Sequence, residues 1–149
     1  MDKIYFTKQG MDKFLQKIQE IENRLKNMYS RLAELADVGG DGYHDNFSYE
    51  QQMRDIGMLD EELAHQRKLL YNSTIVNSAQ NKDKVAIGLS VLIEYDGQEE
   101  EWEIVGYGES DSDNRKIAYN TPLAQTLIGK QEEETVEFRK FKIVIKKIS

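Results

Sequence analysis

In the N-terminal part of the chain, hydrophobic residues recur at alternating three- and four-residue spacings, the pattern of a coiled-coil helix. Between Gly10 and Val38 every core position of this heptad seam is hydrophobic: Met11, Phe14, Ile18, Ile21, Leu25, Met28, Leu32 and Leu35. Thr7 is expected to cap the helix, because its hydroxyl can accept an early backbone N–H. We expect the helix to end at Gly39-Gly40, where the backbone is freest.

A second helix is predicted from Asp45-Asn46 to about Asn72. Its hydrophobic face is expected to contain Tyr49, Met53, Ile56, Leu63 and Leu70, with Asp60 and Arg67 interrupting it. A loop of about seven residues joins the two helices, so they should fold back antiparallel. About thirty residues at roughly 1.5 Å each make a hairpin on the order of 45 Å long.

Beyond a polar linker at residues 77–83, the hydrophobic pattern changes to the period of two that is typical of β-strands. Strands are predicted at residues 85–88, 90–95, 101–105, 116–119, 135–138 and 140–148. Asp96-Gly97 is typical of a hairpin turn. Thr121-Pro122 should open a short helix that Gly129 closes, since threonine caps and proline suits the first turn.

These patterns predict an α+β protein with two domains. Residues 1–76 are expected to form an antiparallel α-helical coiled-coil hairpin, and residues 84–149 a small antiparallel β-sheet domain with one short helix. The 149 residues are enough for two small domains with cores of their own.

Composition excludes several kinds of chemistry. The absence of cysteine rules out disulfides, thiolate metal sites and a cysteine nucleophile, and two histidines make a histidine-based zinc site improbable. A net charge of −7 argues against broad binding to free nucleic acid. No apolar run is long enough to span a membrane and the N-terminus lacks signal-peptide features, so a cytoplasmic protein without membrane partners is expected. The common catalytic motifs are missing, which favours an accessory protein over an enzyme.

The hairpin tip, residues 37–46, contains the strongest candidate chemistry. Its glycines, aspartates and asparagine suit turns and helix caps, which is one interpretation. An EF-hand is rejected, because Gly39 and Ser48 occupy ligand positions three and twelve. The other interpretation is a weak Mg²⁺ site at Asp41 and Asp45 that needs further ligands from a partner, because Mg²⁺ seldom settles for two carboxylates.

A basic row, Lys17, Arg24 and Arg31, recurs every seven residues beside the first seam. One interpretation is a solvated flank that helps specify helix pairing. The other is a surface that contacts RNA phosphates.

Taken together, these motifs resemble the bacterial Gre family of transcription elongation factors. Thr7-x-x-Gly10 resembles the family's opening, and Gly40-Asp41, Asp45-Asn46 and Tyr49 resemble its tip motif G-D-x-x-E-N-x-x-Y. The most specific match is Asn120-Thr121-Pro122-Leu123-Ala124-Gln125-Thr126-Leu127-Ile128-Gly129-Lys130, which resembles the family's proline-initiated helix followed by Gly-Lys.

The resemblance implies a C-terminal domain similar to FK506-binding proteins and a partner, RNA polymerase. It implies that the domain docks at the rim of the polymerase secondary channel, with Thr121 and Pro122 as docking residues, while the coiled coil enters the channel. The protein is expected to be a monomer. Asp41 and Asp45 would then act together on the nascent RNA 3′ end, sharing Mg²⁺ with the polymerase, so that its own site cleaves backtracked RNA.

The tip departs from the family pattern: three residues separate its acids instead of two, and Asp45 replaces a glutamate. Asp37 also stands where the family usually has arginine. These departures keep open a second hypothesis, a channel regulator that modulates or inhibits the polymerase without stimulating cleavage. A third, suggested by the C-terminal fold, is a prolyl isomerase or chaperone.

Overall fold

The computed structural model describes residues 2–37, 46–77 and 81–149. The chain divides into two compact units. The helical unit is Lys13–Asn72, and the sheet unit combines Met1–Asp12 with Ser73–Ser149. Within the described residues, no helix is both long and apolar enough to cross a lipid bilayer.

The helical unit is an antiparallel pair of long helices, as predicted. Helix α1 spans Lys8–Asp37 and helix α2 spans Asn46–Tyr71. Six buried residues form its core: Ile18, Ile21, Leu25, Ile56, Leu59 and Leu63. The partly buried residues Phe14, Met28, Leu32 and Leu70 pack against this core. Partner numbers fall along α2 as they rise along α1, from the Lys17–Glu62 ion pair to the Gln52 amide beside the Met28 carbonyl.

The predicted hydrophobic face of α2 is confirmed at Ile56 and Leu63, which are buried, and at Leu70, which packs against the same core. The prediction was wrong at its other positions. Tyr49 and Met53 are exposed, whereas Leu59, which the prediction left out, is buried at 8% exposure. The buried positions follow the row of Ile56, Leu59 and Leu63. Asp60 and Arg67 therefore do not interrupt the seam: both are exposed and make hydrogen bonds to α1 from its flank.

The sheet unit's elements in chain order are β1 (Ile4–Phe6), β2 (Ser73–Ile75), β3 (Ser90–Tyr95), β4 (Gln98–Val105), β5 (Lys116–Ala118), α3 (Pro122–Leu127), β6 (Thr135–Phe138) and β7 (Phe141–Ile148). Five of the strands form one sheet of order β5-β4-β3-β7-β6. Neighbouring strands of the sheet are antiparallel, except that β5 runs parallel to β4. The predicted α+β architecture with one short helix after the hairpin is confirmed in the described residues.

The sheet core arises from the alternation seen in the sequence. Val91, Ile93, Ile104 and Ile145 are at most 1% exposed, and Leu127 of α3 packs on the same cluster. The β3–β4 hairpin turns at Asp96 (φ 50°) and Gly97 (φ 73°), as the Asp-Gly pair predicted.

The strand predicted at residues 85–88 was wrong. Val85 is buried, but its N–H donates to Lys130 O at 2.9 Å and its carbonyl accepts from Gly129 N at 2.8 Å. The chain then turns, with Gly88 at φ 88°. Burial of Val85 and Leu89 thus comes from loop packing instead of a strand ladder.

Strands β1 and β2 form a parallel pair that the hydrophobic pattern did not predict. Phe6 is 1% exposed, and its carbonyl accepts from Val76 N at 2.8 Å. On the other side of β1, Tyr107 N donates to Tyr5 O at 2.8 Å. The start of the chain is therefore part of the sheet unit.

Candidate functional site

Asp41 and Asp45 lie outside the residues that the structure describes. Helix α1 ends at Asp37 and helix α2 begins at Asn46, so the two acids belong to the segment of the chain that connects these helices. Their assignment to Mg²⁺ and to catalysis stays a prediction. Among the described residues, no group of three or more His, Asp or Glu side chains is arranged to hold a metal ion.

The start of α2 presents an unusual amount of hydrophobic surface. Phe47 is 74% exposed, and Tyr49 and Met53 are also exposed. These residues immediately follow the connection that carries the two acids. Sequence reasoning singled out Tyr49 through its motif but missed Phe47.

The basic row lies on an exposed flank of α1. Lys17 Nζ is 3.8 Å from Glu62 of α2, which agrees with the interpretation of the row as a pairing flank. Seven residues further along α1 and seven back along α2, the same register places Arg24 opposite Asp55. One more step places Arg31, the member nearest the tip in sequence, opposite the uncharged Ser48.

The opposite flank of the pair is a polar ladder with the same seven-residue step. Arg67 donates to Glu22 Oε1 at 2.7 Å, and Tyr29 OH donates to Asp60 Oδ2 at 2.7 Å. This hydrogen bond to a carboxylate raises the pKa of Tyr29 above its ordinary value. Exposed ion pairs are worth only about 0–1 kcal/mol each, so they specify register more than they stabilise the pair.

Thr121 and Pro122 begin α3 as predicted. The Thr121 hydroxyl donates to Ala118 O at 2.8 Å and accepts from Ala124 N at 3.4 Å. Pro122 occupies the first turn and is exposed, while Ala124 and Leu127 on the inner side are fully buried. The helix therefore presents Pro122 at the surface, and the assignment of Thr121 and Pro122 to docking stays a prediction.

Thr7 caps α1, which confirms that prediction, and its surroundings contain a residue that sequence reasoning missed. The Thr7 hydroxyl accepts from Gly10 N at 3.0 Å. Glu109, from the turn after β4, accepts from both the backbone N–H and the hydroxyl of Thr7. Nothing local in the polar loop at residues 108–114 indicated this role, because the partner lies far away in sequence.

A second half-buried carboxylate, Glu100, lies at the centre of a cluster on β4. It accepts from Trp102 Nε1 at 3.0 Å and Tyr95 OH at 3.1 Å, and it pairs with Arg115 at 3.0 Å. Partial burial opposes ionisation, but these hydrogen bonds prevail and hold the pKa of Glu100 below its ordinary value. Arg115 also lies 5.2 Å from the centre of the Trp102 ring. The partners of Glu100 all belong to the sheet unit, so we interpret the cluster as a structural arrangement.

Comparison with known proteins identifies the class. Residues 80–149 match the sequence model of the family described as transcription elongation factor, GreA/GreB, C-term. Transcription elongation factor GreA of Staphylococcus saprophyticus is 28% identical over 132 residues, covering 87% of this chain and 83% of that protein. The Staphylococcus carnosus GreA is 29% identical over 132 residues, covering 87% and 82%.

Two solved structures are also similar over nearly their full length. GreA factor homolog 1 (Gfh1) of Thermus thermophilus has a TM-score of 0.47 at 18% identity, with 99% of each chain covered. A GreA/GreB elongation factor from Nitrosomonas europaea has a TM-score of 0.42 at 14% identity, again with 99% of each chain covered.

The match over residues 80–149 identifies the C-terminal part of the chain as a GreA/GreB C-terminal domain. The chain as a whole is similar to transcription elongation factors of the GreA type.

Proposed function

We propose that this protein acts on RNA polymerase that has slid backward, and that it stimulates cleavage of the extruded RNA by the polymerase's own active site. The observation that carries the proposal is the match to GreA proteins across most of this chain, from the helices through the sheet unit. The described residues contribute an antiparallel helix pair with a packed hydrophobic core, and the segment between the two helices contains Asp41 and Asp45.

In this proposal the polymerase is bound by the sheet unit, around Thr121 and the exposed Pro122. The helix pair enters the secondary channel and brings its tip to the RNA 3′ end. Arg24 and Arg31, which are both exposed, are the members of the basic row best suited to contact an RNA phosphate, because Lys17 pairs with Glu62. A partner of this kind places the protein in the cytoplasm.

Asp41 and Asp45 supply carboxylate oxygens, the ligands that Mg²⁺ prefers. Two carboxylates are fewer than the six ligands of an octahedral site, so water and the polymerase must complete it. Bound Mg²⁺ would stabilise the charge that develops on the attacking and leaving oxygens of the phosphodiester. The chain itself contributes the placement of the two carboxylates, and the catalytic site belongs to the polymerase.

The second candidate function is occupation of the channel without cleavage. The altered tip favours it: the acids are separated by three residues, and Asp45 is one methylene shorter than the glutamate of the family motif. The extra residue and the shorter side chain act on reach in opposite directions, so only a functional measurement separates the two candidates.

The experiment uses backtracked elongation complexes with labelled RNA and Mg²⁺. Addition of the protein should shorten the RNA, and Asp41→Asn or Asp45→Asn should abolish the shortening. Asp113→Asn makes the same charge change at an exposed loop position of the sheet unit and should leave cleavage intact. Displacement of bound GreA with unchanged RNA would establish the second candidate. Absence of polymerase binding, together with accelerated proline isomerisation in a peptide, would contradict both.

A further inference from the structure

The first turn of α1 contains no acidic side chain, although a helix N-terminus favours negative charge. A residue 102 positions away provides that charge. Glu109 Oε2 accepts from Thr7 N at 3.1 Å, and Oε1 accepts from the Thr7 hydroxyl. That hydroxyl accepts in turn from Gly10 N at 3.0 Å, so one carboxylate completes a continuous cap from Glu109 through Thr7 to Gly10.

Two glycines leave the space that the carboxylate occupies. A Cβ atom on Gly10 would overlap the Glu109 carboxyl group, and those atoms are its three nearest neighbours. A Cβ on Gly106 would also overlap Glu109 Oε2, but it would in addition lie 2.7 Å from Thr7 N and 2.8 Å from Phe6 Cα. The two sites therefore differ. At position 10 the nearest atoms that a side chain would meet all belong to Glu109, whereas at position 106 a side chain would also meet the backbone of Phe6 and Thr7.

The turn that carries Glu109 is itself held in place. Gly108 has φ 70°, a conformation that suits glycine, and Glu109 N donates to Gly106 O at 3.4 Å. Tyr107 N donates to Tyr5 O at 2.8 Å, which joins the same turn to β1. Glu109 is thus presented by a constrained turn and not by a loose loop.

We propose that Glu109 is a positioning residue that fixes where α1 begins, and that the factor needs it because this helix leads to the tip acids. The functional half of this inference rests on the proposed function. Glu109 acts through Thr7 and Gly10 and touches neither RNA nor polymerase. Without it, the cap loses its charge and two of its hydrogen bonds.

The structural half is tested by amide exchange and by a double-mutant cycle. Glu109→Ala should accelerate exchange at Thr7 and Gly10 by about tenfold, the loss expected for charge-assisted hydrogen bonds. Glu132→Ala is the matched control, because Glu132 accepts from Ile148 N at 2.9 Å, and it should affect exchange at Ile148 instead.

In the cycle, Gly10→Ala should lower the melting temperature of the wild-type protein but cause no further loss in the Glu109→Ala background. Gly106→Ala should be harmful in both backgrounds, because its methyl group also meets the backbone. Equal losses from Gly10→Ala in both backgrounds, or unchanged exchange at Thr7 and Gly10, would overturn the inference.

The functional half is tested with the same backtracked complexes. Glu109→Ala should lower the maximal cleavage rate by roughly tenfold to a hundredfold, the range for misplaced catalytic groups, without changing the factor concentration needed for half of that rate. A parallel change in both parameters, or in neither, would overturn positioning. If the wild-type protein does not stimulate cleavage, the proposed function fails, while exchange and the cycle still decide whether Glu109 fixes the start of α1.

Discussion

Glu100 and Glu109 are both half-buried carboxylates, yet they do different work because their partners differ. Glu109 receives hydrogen bonds from the start of a helix, and Glu100 receives them from Trp102, Tyr95 and Arg115 within the sheet. The hydrogen bond to Glu100 also raises the pKa of Tyr95. The pKa of Glu100 is lowered by its partners, so Glu100 should make stability depend on pH in the acid range.

For Glu100 the sign can be worked out. Its pKa is lower in the folded state, so its contribution is complete above the unfolded-state pKa and disappears as the pH falls through the folded-state pKa. Glu100→Gln should therefore be less stable than wild type at about pH 6, and the difference should shrink towards about pH 3. Urea unfolding followed by circular dichroism measures it. Glu101→Gln on the exposed side of β4 should show no such convergence, and a constant difference for Glu100→Gln would contradict the assignment.

The helix-capping residues could be predicted from the sequence, but the residue that binds to a cap from a distant part of the chain could not. Thr7 and Thr121 both cap as expected, because a cap depends on residues within one helical turn. Glu109 completes the Thr7 cap, although it lies 102 residues further along the chain. The run Gly106-Tyr107-Gly108-Glu109 indicates a tight turn, but no local feature indicates what its carboxylate meets.

Among the elements, α1 was predicted closely and α2 was not. The α1 seam has a hydrophobic residue at every core position, so its register is unambiguous. Helix α2 has hydrophobic residues in two adjacent rows, and the choice between them depends on α1, its packing partner. Packing selected the row of Ile56, Leu59 and Leu63 and left Met53 and Met58 exposed.

This register is testable with two neighbouring residues. Leu59→Ala should cost about 2–5 kcal/mol of stability in the helical unit, because it empties a packed position. Met58→Ala, which removes a side chain that is 65% exposed, should stay within about 0.5 kcal/mol. Helical circular dichroism during urea unfolding measures both, and similar losses for the two variants would show that the seam is misassigned.

For the molecule as a whole, the division into units differs from the linear order of the chain. Residues 2–6 carry too few positions to show a strand period, but Phe6 is buried and β1 pairs with β2 and with the turn at Tyr107. Pairing between segments so far apart in the sequence depends on long-range contacts. The predicted change of hydrophobic period lies at residues 77–83, whereas the sheet unit also takes in Met1–Asp12 and begins again at Ser73.

Phe6→Ala tests this division. It should destabilise the sheet unit by about 3–5 kcal/mol, the usual cost of emptying a buried aromatic site. Trp102, the single tryptophan of the chain, reports on the sheet unit by fluorescence, and helical circular dichroism reports mainly on α1 and α2. Ile75→Ala on β2, where the side chain is 46% exposed, should cost much less. An unchanged fluorescence transition for Phe6→Ala would contradict the assignment of β1 to the sheet unit.

The antiparallel helix pair, the succession of strands from β3 to β7 and the capped helix α3 were determined by the sequence alone, because periodicity, turns and caps are local properties. The sequence also carried the tip motif and the α3 motif that indicated the family. Tertiary structure decided the register of α2, the pairing of β1 with β2, the loop at residues 85–88 and the meeting of Glu109 with Thr7. Each of these depends on contacts between residues far apart in the chain, whose free energy no local pattern records.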